Sequence, residues 1–296
     1  MNNAVGIEPV ALARFFSSAV LKELAGLGRS PTLTRLISES RILDAEPNIT
    51  ELGHLFDCAF SYLRRTCNRH EYVYKAAITR RVLLGEHNLN TASMLTEFRV
   101  GRCIADVVIL NGTATAYEVK SERDNLARLP LQIEEYLRVF ATVNVIAGEN
   151  HLEEVLGCVP DAVGILKLSK TFRISPVREG INDAARTCPN AIFEAMTLRE
   201  AAMALKNAGV SVPVVPNTQK YEALRSEFVR LDSVVAHGAM VDTLKKSRTL
   251  KSLKSFVSDI PESLHCASLS TRLRKRDHAN LIAALKTPVS EAIGWS

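Results

Sequence analysis

The sequence predicts an α/β protein, a mixed-sheet core set between helical N- and C-terminal extensions. Three observations carry that expectation. Residues 8 to 68 repeat their apolar positions at helical spacing, and helical patterns return after Pro176. Between them the pattern alternates, reading α-β-β-β-α-β and then a short helix and two more strands, which argues for a mixed sheet. An Asn111-Gly112 pair between two β-rich runs marks a hairpin at the centre of that region. The expected parts are a helical cap over 1–69, the core over 70–176 and a helical, basic region over 177–296.

Composition narrows the class. The chain has 296 residues, 47% hydrophobic and 23% charged, as in ordinary globular proteins, and is long enough to bury a core without disulfides. A net charge of +5 is compatible with a polyanionic partner. No apolar run approaches the ~18 residues of a membrane helix. The start, MNNAVGIEPVALARFF, lacks a basic region followed by an apolar one, so a secretory signal is not expected. Six cysteines occur with no C-x-x-C pair and no zinc spacing, which predicts reduced thiols in a cytoplasmic protein. No phosphate-binding loop and no Ser-His-Asp arrangement is found.

The elements follow in order. Val10, Leu12, Phe15, Phe16, Val20, Leu21 and Leu24 form a helical stripe, broken at Gly26 and Gly28. Ser30-Pro31 reads as an N-cap with proline at the first helical position. Asn48 to Glu51 opens a helix carrying Leu52, Leu55, Phe56, Phe60 and Leu63. Residues 71–84 predict an amphipathic helix ending at Gly85, with Tyr74, Ile78 and Val82 one turn apart. Strands are expected at 95–99, 104–110 and 115–121, then a helix from Arg128-Leu129-Pro130 to about 140 and a buried strand at 142–147. A short helix at 152–156 and a hairpin at 162–168 and 172–175 close the core. Thr197 and Glu200 form a capping-box pattern opening a helix to about 208, and further helices are expected at 219–230, 239–257 and 277–286. Two basic blocks stand out: Lys245, Lys246, Arg248, Lys251 and Lys254, then Arg272, Arg274, Lys275 and Arg276. Such blocks contact phosphates or simply face solvent.

The chemistry concentrates in EFRVGRCIADVVILNGTATAYEVK, residues 97–120. Glu118 and Lys120 share a strand face because side chains alternate. Asp106 joins that face only if the loop around Gly112 is odd in length; a two-residue turn would turn it toward Tyr117 and Val119. Two carboxylates and a lysine on an apolar hairpin are costly unless compensated. A divalent cation would compensate them: two carboxylates, a backbone carbonyl and waters make a Mg²⁺ site, with Lys120 beside it to hold or activate water. The other reading of the same residues is a surface ion pair, Glu118 with Lys120 or Asp106 with Arg102.

Asp106, eleven residues, then Glu118-Val119-Lys120 resembles the motif of the PD-(D/E)XK nuclease superfamily, which has the restriction-endonuclease-like fold. The downstream Gln132-Ile133-Glu134-Glu135-Tyr136 resembles the Q-x-x-x-Y motif of its RecB-type branch. The resemblance spans about residues 70 to 150, and extends to a bacterial family of uncharacterised nucleases. It departs at Ala105, where the motif has proline. It implies a Mg²⁺-dependent deoxyribonuclease, Mn²⁺ substituting, leaving a 5′-phosphate. It implies Asp106, Glu118 and the Val119 carbonyl as metal ligands, Lys120 as the water-positioning group, and Gln132 and Tyr136 as orienting groups. Glu71, opening the helix before the hairpin, is implied as a further ligand or its support; ordinary helix capping explains it equally. Arg99, Arg102, Arg123 and Arg128 flank the hairpin as candidate phosphate contacts or solvent-exposed cations. DNA is the expected partner. The helical flanks offer a surface for a second copy or a protein partner. The alternative is a nuclease-like fold used for binding with little cleavage.

Overall fold

A computed structural model describes residues 6–296; the first five residues of the stretch in which no secretory signal is expected lie outside the described residues. The chain divides into two compact units. One holds the residues up to Arg80 with Lys170–Phe172 and Ser252–Ser296, and the other holds Arg81–Ser169 and Arg173–Lys251. The units therefore do not part at 69/70 and 176/177. Helices after 176 cover the sheet, while residues 252–296 return to the N-terminal helices.

The helical unit begins with α1 (Pro9–Phe15), α2 (Ser18–Leu27), α3 (Pro31–Ser40), α4 (Ile42–Ala45), α5 (Leu52–Leu63) and α6 (Glu71–Ile78). Ser30 caps α3 as its sequence requires, its hydroxyl oxygen accepting from the Leu33 amide at 3.0 Å. The expected start of α5 at 48–51 is displaced. Helix α5 opens at Leu52 without a side-chain cap, because Glu51 forms a β-bridge with Pro288 and the Thr50 carbonyl accepts from the Val289 amide. Phe15, Phe16, Phe56, Phe60 and Tyr72 pack edge-to-face or stacked in the core of this unit.

The helix expected over 71–84 keeps α geometry only to Ile78 and widens to a π-helix over Thr79–Glu86, running through Gly85. Two bonds account for it. The Thr79 hydroxyl donates to the Lys75 carbonyl at 2.8 Å, and the His87 amide donates five residues back to Val82.

The sheet unit carries six strands in sequential order: β1 (Ser93–Val100), β2 (Cys103–Leu110), β3 (Ala114–Lys120), β4 (Thr142–Ala147), β5 (Gly164–Leu168) and β6 (Ile174–Arg178). The first three are antiparallel, β3, β4 and β5 run parallel, and β6 is antiparallel to β5. Helices α7 (Leu129–Leu137) and α8 (Leu152–Cys158) make the two crossovers between the parallel strands. Helices α9 (Pro189–Glu194), α10 (Leu198–Asn207), α11 (Lys220–Val229) and α12 (Ser233–Ser247) supply Ile192, Phe193, Leu205, Phe228, Met240 and Leu244 to the core that holds Val108, Ala116 and Val145 of the sheet. This is the α/β mixed-sheet architecture with flanking helices that the pattern predicts. The capping box of α10 forms with both halves present.

The helix expected at 239–257 is two helices. Asp232 caps α12 two residues upstream of Val234, so it starts early, and it stops before Arg248. A 3₁₀ turn then leads to α13 (Lys254–Ser258) in the helical unit, followed there by α14 (His265–Ser270), α15 (Asp277–Ala284) and α16 (Val289–Ala292). None of the six cysteines is in a disulfide. No described helix is long and apolar enough to cross a membrane.

Candidate active site

The loop joining β2 to β3 decides the site. Leu110 pairs with Ala114, so the loop is residues 111–113, odd in length, with Gly112 at φ +69°. Continuing the register from Val107 opposite Tyr117 sets Asp106 opposite Glu118. Asp106 is half-buried, and its Oδ2 accepts from the Val119 amide at 2.8 Å. Val107, Ile109, Tyr117 and Val119 are buried and belong to a different side of the sheet from the Val108, Leu110, Ala114 and Ala116 core.

The next strand carries a distortion at the same level. Glu97 sits in β1 at the position that would face Asp106, and has φ +53°, a region that side chains other than glycine adopt rarely. Side-chain alternation shifts there. Leu95, Phe98 and Val100 on β1 share one core with Cys103, Ala105, Val108 and Leu110 on β2. The shift puts Ala105 in the core, directly before Asp106. Ala105, at the position of the motif's proline, is completely buried.

Helix α7 completes the network. Its proline at the first turn and its apolar residues Leu129, Ile133 and Tyr136 seat it on the sheet core. Gln132 and Tyr136, one turn apart, therefore point the same way. The Gln132 Nε2 donates to Glu118 Oε1 at 2.6 Å, and Lys120 Nζ donates to the same oxygen at 2.8 Å and to Gln132 Oε1 at 3.0 Å. The Tyr136 hydroxyl lies 2.9 Å from Glu118 Oε2 and 2.6 Å from the Ile104 carbonyl, with one hydrogen to donate between them. Burial, and next the Glu118 carboxylate, push the Tyr136 phenol far above its ordinary range, so it remains a neutral donor.

Glu118 and Lys120 do form an ion pair, but not a surface one: their side chains are 2% and 9% exposed. Lys120 has three N–H donors and these contacts use two. Glu118 Oε1 accepts two bonds, while Oε2 accepts one and keeps a lone pair. Among the described residues no group of three or more His, Cys, Asp or Glu side chains is placed to hold a metal ion. The set consists of two carboxylates on facing strands, a donor set that fits a hydrated Mg²⁺ when backbone carbonyl and water complete it.

The other expected residues lie outside the network. Arg99, Arg102, Arg123 and Arg128 are exposed. Glu71 belongs to the helical unit, where its carboxylate pairs with Lys75. Sequence reasoning passed over three features. One is the Ile104 carbonyl, which leaves no side-chain signal. Another is the strained Glu97 backbone, which no residue type announces. The third is Asp124, whose carboxylate accepts from the Ser121 amide at 2.6 Å and hydroxyl at 2.7 Å and fixes the chain just after Lys120; the Ser-x-x-Asp spacing was its signal.

No curated protein matches this chain. Among solved structures, a protein of unknown function from Silicibacter pomeroyi is similar over 31% of this chain and 61% of its own, less than two thirds of its length, at 20% identity and a TM-score of 0.25. The family model of bacteriophage P4 protein cII matches residues 64–278, which takes in the whole sheet, the network around Glu118 and the helices that cover it. With that match running over more than half of its length, the chain belongs to the bacteriophage P4 protein cII family.

Proposed function

We propose that this chain is a metal-dependent nuclease of the PD-(D/E)XK type, hydrolysing phosphodiester bonds in DNA within the cytoplasm. The observation that carries the reading is the odd loop at residues 111–113, from which the register continued past Val107 and Tyr117 brings Asp106 level with Glu118, two residues before Lys120. Had the loop been two residues, the two carboxylates would point to opposite faces. Support comes also from Gln132 and Tyr136 converging on Glu118 from α7.

In this reading Asp106, Glu118 and the Val119 carbonyl hold Mg²⁺, or Mn²⁺ in its place. The bound cation supplies Lewis-acid neutralisation of charge at the scissile phosphate. Lys120 acts as a donor: with two N–H groups on Glu118 and Gln132, the third orients the attacking water or binds a phosphate oxygen as its charge grows. The water oxygen bonds to phosphorus as its proton passes to solvent, the P–O bond to the 3′-oxygen breaks in line, and that oxygen leaves as a hydroxyl by taking a proton from solvent, so the 5′-phosphate stays on the other fragment. Gln132 and Tyr136 keep the Glu118 carboxylate in one orientation. Arg99, Arg102, Arg123 and Arg128, all exposed, contact phosphates of the bound strand.

The test is cleavage of plasmid, linear and single-stranded DNA with Mg²⁺ or Mn²⁺, beside Glu118→Gln and Lys120→Ala. Each substitution is expected to lower the rate at least about a hundredfold. Cleavage that persists in both variants sinks the reading. One observation favours a second reading, a nuclease-like fold that binds without cutting: Glu118 is almost wholly buried and already accepts three hydrogen bonds. Calorimetry separates the two. Mn²⁺ binding that disappears in Asp106→Ala supports the nuclease; no Mn²⁺ binding in the wild type supports the binding module.

A further inference from the structure

We infer that the helical unit holds a phosphate-binding pocket for a nucleic-acid backbone, formed by Lys22 of α2 and by Arg272, Arg274 and Arg276 in the segment before α15. The inference rests on the nuclease reading for its choice of ligand. A cavity of about 660 Å³ opens between these residues, with Asp277 and Asn280 also on its wall. The wall is built on a fixed helix pair, since the Asn280 amide of α15 donates to the Ala25 carbonyl of α2 at 3.1 Å.

The charge of the pocket is uncompensated. Four cations stand against one carboxylate. Asp277 reaches Arg276 at 3.5 Å, but Arg276 is 73% exposed, and a contact of that kind neutralises little. The other oxygen of Asp277 accepts from the Arg274 backbone amide rather than from a guanidinium. Among the described residues the guanidinium groups of Arg272 and Arg274 and the Lys22 ammonium make no ion pair. Free guanidinium forks in a concave wall suit phosphate oxygens, which they bind two at a time. Leu273 is the one large apolar side chain on the wall and is partly buried, so the pocket lacks the exposed apolar face with which a protein enters a lipid surface.

Removing one phosphate-binding cation should flatten the dependence of affinity on salt by about 0.9 in log–log slope. The test measures anisotropy of a fluorescein-labelled DNA duplex across a salt series in EDTA, where cleavage cannot intervene. Wild type is compared with a triple variant, Arg272→Gln with Arg274→Gln and Arg276→Gln, and with a control, Arg199→Gln with Lys206→Gln, two exposed cations outside both basic blocks. Melting temperatures confirm that each is folded. The triple variant should bind at least about tenfold more weakly, with a slope shallower by nearly three, for every DNA sequence alike, while the control follows the wild type. Equal slopes and affinities for wild type and triple variant overturn the pocket, as does a wild type that does not bind DNA. Vesicles containing phosphatidylserine form a second arm. Vesicle binding that needs the arginines, with DNA binding that does not, also overturns the assignment. A protein that cleaves DNA yet shows no slope change loses the pocket and keeps the nuclease. One that shows the slope change but never cleaves does the reverse.

Discussion

Glu118 and Glu200 are both buried carboxylates of the sheet unit, and each holds a cation, but they hold it differently. Arg248 meets Glu200 with two parallel bonds, Nε to Oε1 at 2.8 Å and a second guanidinium nitrogen to Oε2 at 2.9 Å. Its guanidinium also lies 5.3 Å from the Phe98 ring centre. The Ser247 hydroxyl, the Thr197 hydroxyl and the Thr197 amide add three more bonds to the same carboxylate. That site is closed: every contact ties a helix end to its neighbours. Around Glu118 the cation is a lysine with one donor left over, one carboxylate oxygen keeps a lone pair, and a second carboxylate stands opposite on β2. A buried ion pair therefore does not mark a functional site by itself. Unused donors and acceptors beside a second acid are what the proposed nuclease function rests on.

Paired substitutions put this contrast under the largest strain. Lys120→Ala should remove cleavage, at least about a hundredfold, in a protein that still folds. Arg248→Ala should leave the cleavage rate of the folded protein unchanged and lower stability by about 3 kcal/mol, because a buried carboxylate is stripped of its partner while Arg248's own partial exposure moderates the effect. Urea denaturation and cleavage rates on the same samples give both quantities. An Arg248→Ala protein that is folded but inactive would break the distinction between the two pairs.

Tyr136→Phe sharpens it on the side of the candidate site. The hydroxyl serves both the Ile104 carbonyl and Glu118, so its removal leaves buried acceptors short of a donor and should cost about 1–2 kcal/mol. A neutral effect in urea denaturation would mean that the hydroxyl does not tie β2 to the Glu118 carboxylate.

Much of this was legible in the residues, and the boundary is physical. The period-two and period-3.6 patterns carry the strand and helix order because burial imposes them. The Thr197/Glu200 capping box is local, so four residues suffice to read it. The residues of the Glu118 network were legible too, as a motif. The direction of Asp106 was not, because Asn111-Gly112 fits both a two-residue turn and the three-residue loop that forms. Arg248 shows the opposite failure. In sequence it belongs to a basic block facing phosphates or solvent; in the fold its partner, Glu200, lies 48 positions away. Charge runs report composition, whereas pairing depends on contacts distant in sequence. The π-helix at Thr79–Glu86 was hidden for a related reason: a threonine hydroxyl competing for a carbonyl leaves the apolar stripe intact.

The smallest expected effect separates the parts of the closed site. Burial pushes the Glu200 carboxyl up, but Arg248 and Thr197 outweigh it and bring it from an ordinary 4.5 down to about 2. A carboxyl depressed in the folded state stabilises fully above its unfolded value, so this contribution is complete above about pH 4.5 and is lost as pH falls through about 2. Thr197→Ala removes one of these bonds and the hydroxyl cap of α10, while the backbone amide at 197 still donates to Glu200. At neutral pH it should cost about 1 kcal/mol, an ordinary cap value. On acidification both proteins should begin to lose this contribution near pH 4.5, and in the variant the loss should be smaller and end at a higher pH, because its Glu200 is depressed less. Urea midpoints followed from neutral pH into the acid window measure both terms. If the two curves stay parallel through that window, the threonine hydroxyl acts only as a cap, and Arg248 with the remaining donors holds the Glu200 charge.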